Sequence, residues 1–293
     1  MTKANETSSH ECRFLSEDSF HQLYDTFIEA FSDYVFPFAL TVEQFRGHLA
    51  LNAVDITRSI GCFEGDKLVG FSLNGFGLWN GRSTVYDAGT GVVPRSRRQG
   101  ASRKMFDTMM PVFERSGIEQ FLLEVVTTNT AALHLYEKLG FETTRTLGLL
   151  QCDTPVTLKN GKGNDVKLRE LAEPDWTAFL KFWNAEPSWQ NSQDAVDRSS
   201  DRKRIIAAYA YAECVGYVIF SAGFGRISQI AVSRELSGQG IGRRLLHEVQ
   251  SMTPQGFSLQ IINADMSDAG VSGFFKSLGF YERLSQYEMI RKI

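Results

Sequence analysis

Apolar positions along the chain fall into short alternating or continuous runs separated by stretches of helical spacing. That mixture predicts strands interleaved with helices. In the first half, Ile60–Glu64 and Lys67–Asn74 read as a hairpin around Gly65-Asp66, Ser83–Val93 as a strand, and Phe121–Val126 as a second strand. Helices are expected near Ser19–Phe31, Val42–Leu51, Ser102–Ser116 and Thr130–Leu139, with Gly117 and Gly140 as stops. Phe141–Leu149 reads as extended. The second half offers the same series. It has helices near Pro174–Ala185 and Gln193–Arg204, a hairpin of Ile206–Ala212 and Val215–Ala222 around Glu213-Cys214, and a strand at Ile227–Val232. A helix at Gly242–Met252, a strand at Phe257–Ile262, a helix at Asp268–Leu278 and a strand at Phe280–Ile290 complete it. Pro174 suits the first turn of its helix.

The two series are a repeat. Arg98-Gln99-Gly100-Ala101-Ser102 resembles Gly238-Gln239-Gly240-Ile241-Gly242, and Leu139-Gly140-Phe141 recurs as Leu278-Gly279-Phe280. The offsets are 140 positions for the first pair of glycines and 139 for the second. Two unrelated short strings at one offset indicate a duplicated domain. The polar, glycine-rich stretch 158–165 reads as the linker, giving an N-terminal domain at 1–157 and a C-terminal one at 166–293.

Composition narrows the classes. Of 293 residues, 43% are hydrophobic and 12% aromatic, enough for two packed cores. A net charge of −3 builds no field for a nucleic-acid backbone, so no nucleic-acid partner is expected. The polar opening MTKANETSSHE has no apolar core of a signal peptide, and the longest apolar runs are strand-sized. A cytoplasmic protein without membrane association is the expectation. Cys12, Cys62, Cys152 and Cys214 form no CxxC pair, and the five histidines show no metal spacing, so reduced packing cysteines and no metal are expected.

Candidate chemistry centres on the strand–glycine loop–helix junction at Gly100. Helix-start amides point outward there with partial positive charge behind them, which suits a diphosphate. Neither half carries GxxxxGK[ST] or GxGxxG with a following acid, so neither familiar nucleotide loop applies.

The string Val92-Val93-Pro94-Arg95-Ser96-Arg97-Arg98-Gln99-Gly100-Ala101-Ser102 resembles the acetyl-CoA motif of the GCN5-related N-acetyltransferases (GNAT), [RQ]-x-x-G-x-[GA] after V-x-P. Ala231–Gly242 is a second match, and Asn129–Phe141 resembles the later family signature. The resemblance spans the cores of both halves. It implies an α/β fold with a mixed, splayed sheet flanked by helices, in tandem. It also implies acetyl-CoA as co-substrate and direct attack by an amine of a small molecule or peptide. The amides of Gln99, Gly100, Ala101 and Ser102 would hold the diphosphate, helped by Arg97 and Arg98. Val92 and Val93 would pair with the pantetheine arm, an amide near Val92 would hold the oxyanion, and Asn129 would bond the arm. In the second copy Val232, Gln239, Gly240 and Gly242 take the corresponding places.

Expelling a thiolate calls for a proton, because a free thiol has a pKa of about 8.5. Tyr136 stands where the family places its general acid, and the second copy has Phe275 there. Asp87 and Glu124 are the candidate bases. The second copy has Arg226, Ile227 and Gln260 around those places, and Asp268 in place of Asn129. These differences put the chemistry in the N-terminal copy. Without the motif, Tyr136 reads as a core aromatic, the two acids as strand-end carboxylates, and Arg95 to Lys104 as a solvated basic run. The aromatic segment Phe31–Phe38 is a candidate acceptor wall. A non-catalytic acyl-CoA-binding module and an enzyme active in its C-terminal copy are the alternatives. Oligomeric state and the acceptor are not readable from the sequence.

Overall fold

The computed structural model describes residues 10–33, 40–158, 165–199 and 203–293. The rest of the linker 158–165 and of the aromatic segment Phe31–Phe38 lies outside them. The chain divides into two compact units. The first holds 1–123, 131–142 and 290–293, and the second holds 124–130 and 143–289. Each is a mixed α/β unit.

The first unit contains β1 (Glu11–Phe14), α1 (Phe20–Ala30), α2 (Val42–Leu51), β2 (Ile60–Glu64), β3 (Lys67–Trp79) and β4 (Arg82–Val92). It continues with α3 (Ala101–Arg115), the start of β5 (Gln120–Val126), and α4 (Thr130–Lys138). Strand order is β1-β2-β3-β4-β5, antiparallel except for β4 with β5. Thr41 caps α2 by accepting from the Gln44 amide, while the Gln44 side-chain oxygen accepts from the Thr41 amide. Phe20, Phe27 and Phe45 of the first two helices pack together, with Phe27 stacked on Phe71 of β3. Phe106 and Phe113 of α3 pack on Phe121 of β5, and Tyr136 of α4 packs on Phe106 and Phe141.

The second unit contains β6 (Glu142–Cys152), β7 (Lys167–Leu171), a short α5 (Trp176–Phe179), α6 (Gln193–Arg198), β8 (Lys203–Ala210), β9 (Glu213–Ser221) and β10 (Arg226–Val232). It ends with α7 (Ile241–Met252), β11 (Leu259–Asp265), α8 (Ala269–Ser277) and β12 (Tyr281–Lys292). Strand order is β12-β6-β11-β10-β9-β8-β7. Its core sets Leu245, Leu246 and Val249 of α7 against Ile227, Leu259 and Phe275.

The strand after α4 is thus counted with the second unit, where Gln151 and Leu150 pair with Gln260 and Ile261 of β11. Within that strand Arg145 is nearly buried and bonds Glu288 at 2.7 Å, Asp265 at 3.1 Å and the Glu186 carbonyl at 2.7 Å. The far end of β12 returns to the first unit, where the Ile293 amide donates to Glu119.

Three local expectations are corrected. The second hairpin turns at Tyr211-Ala212 rather than Glu213-Cys214, with Tyr211 at φ +56° and fully exposed. Pro174 precedes the cap, since Asp175 caps α5 through the Ala178 amide. That helix stops after one turn and tightens over Leu180–Phe182. The stop places Phe179 face to face with Tyr217 of β9, centroids 3.8 Å apart.

Candidate active site

In the first unit, β4 and β5 run in parallel register over only Thr84–Gln120, Val85–Phe121 and Tyr86–Leu122. Beyond Tyr86, β4 carries a bulge. Asn74 faces Asp87 and Leu73 faces Gly89, so Ala88 is the extra residue. The bulge re-aims Asp87 into the interior, where it is buried. His48 of α2 holds the bulge from outside, its Nε2 2.8 Å from the Ala88 carbonyl oxygen.

Asp87 accepts three hydrogen bonds. They come from the Gly89 amide at 2.9 Å, the Thr90 hydroxyl at 2.8 Å and the Tyr136 hydroxyl at 3.3 Å. Burial raises its pKa to about 6, against the pull of the Thr90, Gly89 and Tyr136 donors. Thr90 Oγ1 lies 2.9 Å from Ser72 Oγ, and Ser72 donates to Asn74. The structure therefore joins two residues singled out from the sequence, Asp87 and Tyr136, into one buried polar group. It adds three that the sequence did not mark: Ser72, Asn74 and Thr90. Glu124 and Asn129 fall in 124–130, counted with the second unit. Glu124 is half-buried, and the Asn129 amide donates to Val126.

Downstream, amide and carbonyl directions alternate along β4. The Val93 amide donates to Val69 of β3 at 2.9 Å, so Val92 turns its polar groups to the opposite edge. The Val92 carbonyl there accepts from Arg97 Nε at 3.0 Å. Of the two valines only Val92 offers an amide to a ligand, because that of Val93 is taken. At the loop, Arg98 and Gly100 both adopt left-handed backbone, φ +61° and +82°. Such alternation turns successive amides into one concavity, a nest for anions. The Gly100 position opens to free space, and the amides of Ala101 and Ser102 sit in the first turn of α3, where helix geometry supplies no acceptor. The Gln99 side chain donates back to the Arg95 carbonyl.

The neighbouring cations are engaged. Arg97 grips Asp33 with two bonds of 2.7 Å and the Ala30 carbonyl with one of 2.9 Å. Arg95 pairs with Glu29, Arg103 with Asp107, and Lys104 with the His10 carbonyl. Arg97 and Arg95 thus tie the loop to the end of α1.

The second copy keeps the scaffold and inverts the polarity. Gly238 and Gly240 repeat the left-handed pair at φ +77° and +94°. Ser233 repeats the amide bond of Val93, donating to Val215. Ser228 repeats the bulge. Phe280 bonds the Phe275 carbonyl as Phe141 bonds that of Tyr136. By this register Asp87, Thr90, Ser72, Asn74 and Tyr136 correspond to Ile227, Ile230, Val218, Phe220 and Phe275. Every member of the polar group is replaced by an apolar residue of the core. Asp268, the counterpart of Asn129, caps α8 by accepting from Gly270 and Val271. Val232 and Gln239 are half-buried, and Gly242 lies against Phe274.

The parting of strands differs as well. β10 and β11 pair only at Arg226–Gln260 and Ile227–Ile261. Where they separate, Asn191 spans them. Its side-chain amide donates to the Ile262 carbonyl of β11, and its own carbonyl accepts from Gln229 of β10, both at 2.6 Å. Gln229 accepts from Tyr217, and Tyr217 from Trp183.

Among the described residues no cluster of His, Cys, Asp and Glu is placed to hold a metal, and no helix is long and apolar enough to cross a membrane. Two family models match the chain: the acetyltransferase (GNAT) family over residues 20–141, and an acetyltransferase (GNAT) domain over 168–289. No curated protein matches by sequence. Among solved structures, the chain is similar to a tandem GNAT protein from the clavulanic acid biosynthesis pathway. That match has 16% identity and a TM-score of 0.73, and covers 97% of this chain and 98% of the other. A GCN5-related N-acetyltransferase from Sphaerobacter thermophilus matches with 14% identity and a TM-score of 0.71, covering 97% and 95%. One from Kribbella flavida matches with 15% identity and a TM-score of 0.62, covering 97% and 71%.

Proposed function

Because the chain belongs to the GNAT family in both of its halves, we propose that it is an acetyl-CoA-dependent N-acetyltransferase whose chemistry sits in the N-terminal copy. The observation that carries this reading is the buried Asp87–Tyr136 pair, present in the first copy and replaced as a unit by Ile227 and Phe275 in the second.

The residues present suit the co-substrate. The nest at Arg98–Gly100 and the first-turn amides of α3 offer donors to a diphosphate, with the exposed Arg98 adding charge. Arg97 acts from behind, holding the loop on Asp33 and Ala30. The Val92 amide faces the edge where β4 leaves β5, in reach of an extended arm or of the oxygen that gains charge during transfer. Acetyl-CoA supplies the activated acyl group, and an amine of a small molecule or peptide attacks it directly.

Tyr136 then supplies the proton that a departing thiolate needs. Asp87, ionised above a pKa of about 6, holds the phenol in place, takes the proton that the attacking amine loses, and returns it to the tyrosinate left once the thiol is formed. Glu124 remains a candidate for first acceptance of the amine's proton. In the second copy, Asn191 across the parted strands and the apolar substitutions both argue against turnover.

The test is Tyr136→Phe in the full chain. Turnover with a panel of amines falls about 10²- to 10⁴-fold near neutral pH, with acetyl-CoA affinity by calorimetry unchanged. Retained turnover would remove the phenol from the mechanism. Gly100→Val abolishes turnover and Gly240→Val spares it. The reverse outcome would place catalysis in the C-terminal copy, and binding without turnover of any amine would favour a non-catalytic acyl-CoA-binding protein.

A further inference from the structure

The N-terminal unit holds two thiols that the acyl-transfer reading does not use. Cys12 on β1 stands directly opposite Cys62 on β2 in an antiparallel ladder. Residues so placed have Cα atoms about 4.5–5.5 Å apart and side chains on the same face. A disulfide accepts Cα separations of about 4.4–6.8 Å, so this register brings the two cysteines within the span of one. Both cysteines are free.

The two differ in access. Cys62 is fully buried, whereas Cys12 is partly exposed. The neighbouring Cys62 thiol and then the charge of Lys104 hold the Cys12 thiol below its ordinary pKa, against burial and Glu11. Cys12 is therefore the thiolate that meets an oxidant first, and Cys62 the thiol that resolves it.

We propose that Cys12 and Cys62 are a redox modification site, closing to a reversible cross-strand disulfide when hydrogen peroxide is present. The Cys12 thiolate attacks one peroxide oxygen, the O–O bond breaks, and the departing hydroxide leaves as water with a solvent proton. The Cys62 sulfur then attacks the resulting sulfenic sulfur. The S–O bond breaks, the S–S bond forms, and the second hydroxide leaves as water with the Cys62 proton. Two thiols and one peroxide give one disulfide and two waters. A dithiol reductant restores both thiols by exchange.

The site borders the glycine loop. His10, two residues before Cys12, bonds Glu64 through Nε2 at 3.0 Å, and its carbonyl accepts from Lys104 of α3. Glu64 in turn accepts from Ser96, buried at the turn before Arg97, at 2.7 Å. Closing the disulfide pins β1, a four-residue edge strand, to the sheet that carries this chain of bonds.

The test needs no enzymatic activity. Full-length protein is treated with one equivalent of hydrogen peroxide. Free thiols fall from four to two, and peptide mapping finds Cys12 joined to Cys62, with the link lost in dithiothreitol. Amide exchange across Glu11–Phe14 slows in the oxidised form. In Cys62→Ser the same treatment leaves Cys12 as a sulfenic acid that dimedone traps. The proposal is overturned if the untouched sequence yields no such link while Cys12 is over-oxidised, or if the oxidised thiols are Cys152 and Cys214. It is equally overturned if all four thiols survive peroxide that converts free glutathione. The wild-type measurements stand alone should the serine variant fold poorly.

Discussion

A buried carboxylate is costly unless hydrogen-bond donors surround it. Asp87 meets that cost with three donors, yet burial still lifts its pKa from 3.8 to about 6. Two consequences carry opposite signs. The proposed role of Asp87 as a base requires its ionised form, so kcat/KM should rise as pH climbs through about 6, and Asp87→Asn should lower the plateau and erase that limb. The folded state, in contrast, holds its proton more tightly than the unfolded chain, whose Asp titrates near pH 3.9. Asp87 therefore favours folding below about pH 4, and that contribution, on the order of 3 kcal/mol, is lost as pH rises to about 6. Denaturation midpoints of wild type and Asp87→Asn across pH 4–8 should diverge by this pattern. Absence of divergence would mean the site is wetter than the structure indicates. Tyr136 was legible in the sequence because it keeps a fixed distance from Leu139-Gly140-Phe141. Its bond to Asp87 was not, since 49 residues separate the two and a β-bulge aligns them. The Cys12–Cys62 pair escaped for the same reason, because register rather than spacing creates it.

At the scale of elements, the strand–loop–helix junctions were legible because their signals are local. Glycines at the left-handed positions and an apolar helix face are written within about twenty residues. The short strands β1 and β7, with four and five residues, left no periodicity to detect. The helix expected over Pro174–Ala185 shrank to one turn because packing on Tyr217 outweighs local propensity there. The destination of β6 was equally invisible, since pairing with β11 depends on residues more than a hundred positions away. Arg145 is its anchor. Glu288 is 3% exposed and faces this guanidinium, so Arg145→Met strands a buried charge. The expected loss is about 3–5 kcal/mol of stability, read from urea unfolding. Arg145→Met combined with Glu288→Leu should recover much of it.

For the whole molecule, duplication was visible from two repeated strings, but the sharing of chain between units was not. Each unit takes a segment from the other half: 290–293 for the first, 124–130 and 143–157 for the second. A fragment ending at residue 157 therefore lacks part of the first unit and carries β6 without β11. It should show no cooperative thermal transition, and co-expression with 158–293 should restore one. A stable, independent 1–157 would show instead that the exchanged segments are dispensable. The first unit is not assembled from its own half alone. This sharing orders events in time during translation. The ribosome adds residues 290–293 roughly 150 codons after Glu142, so the first unit waits, incomplete, until nearly all of the second has been made.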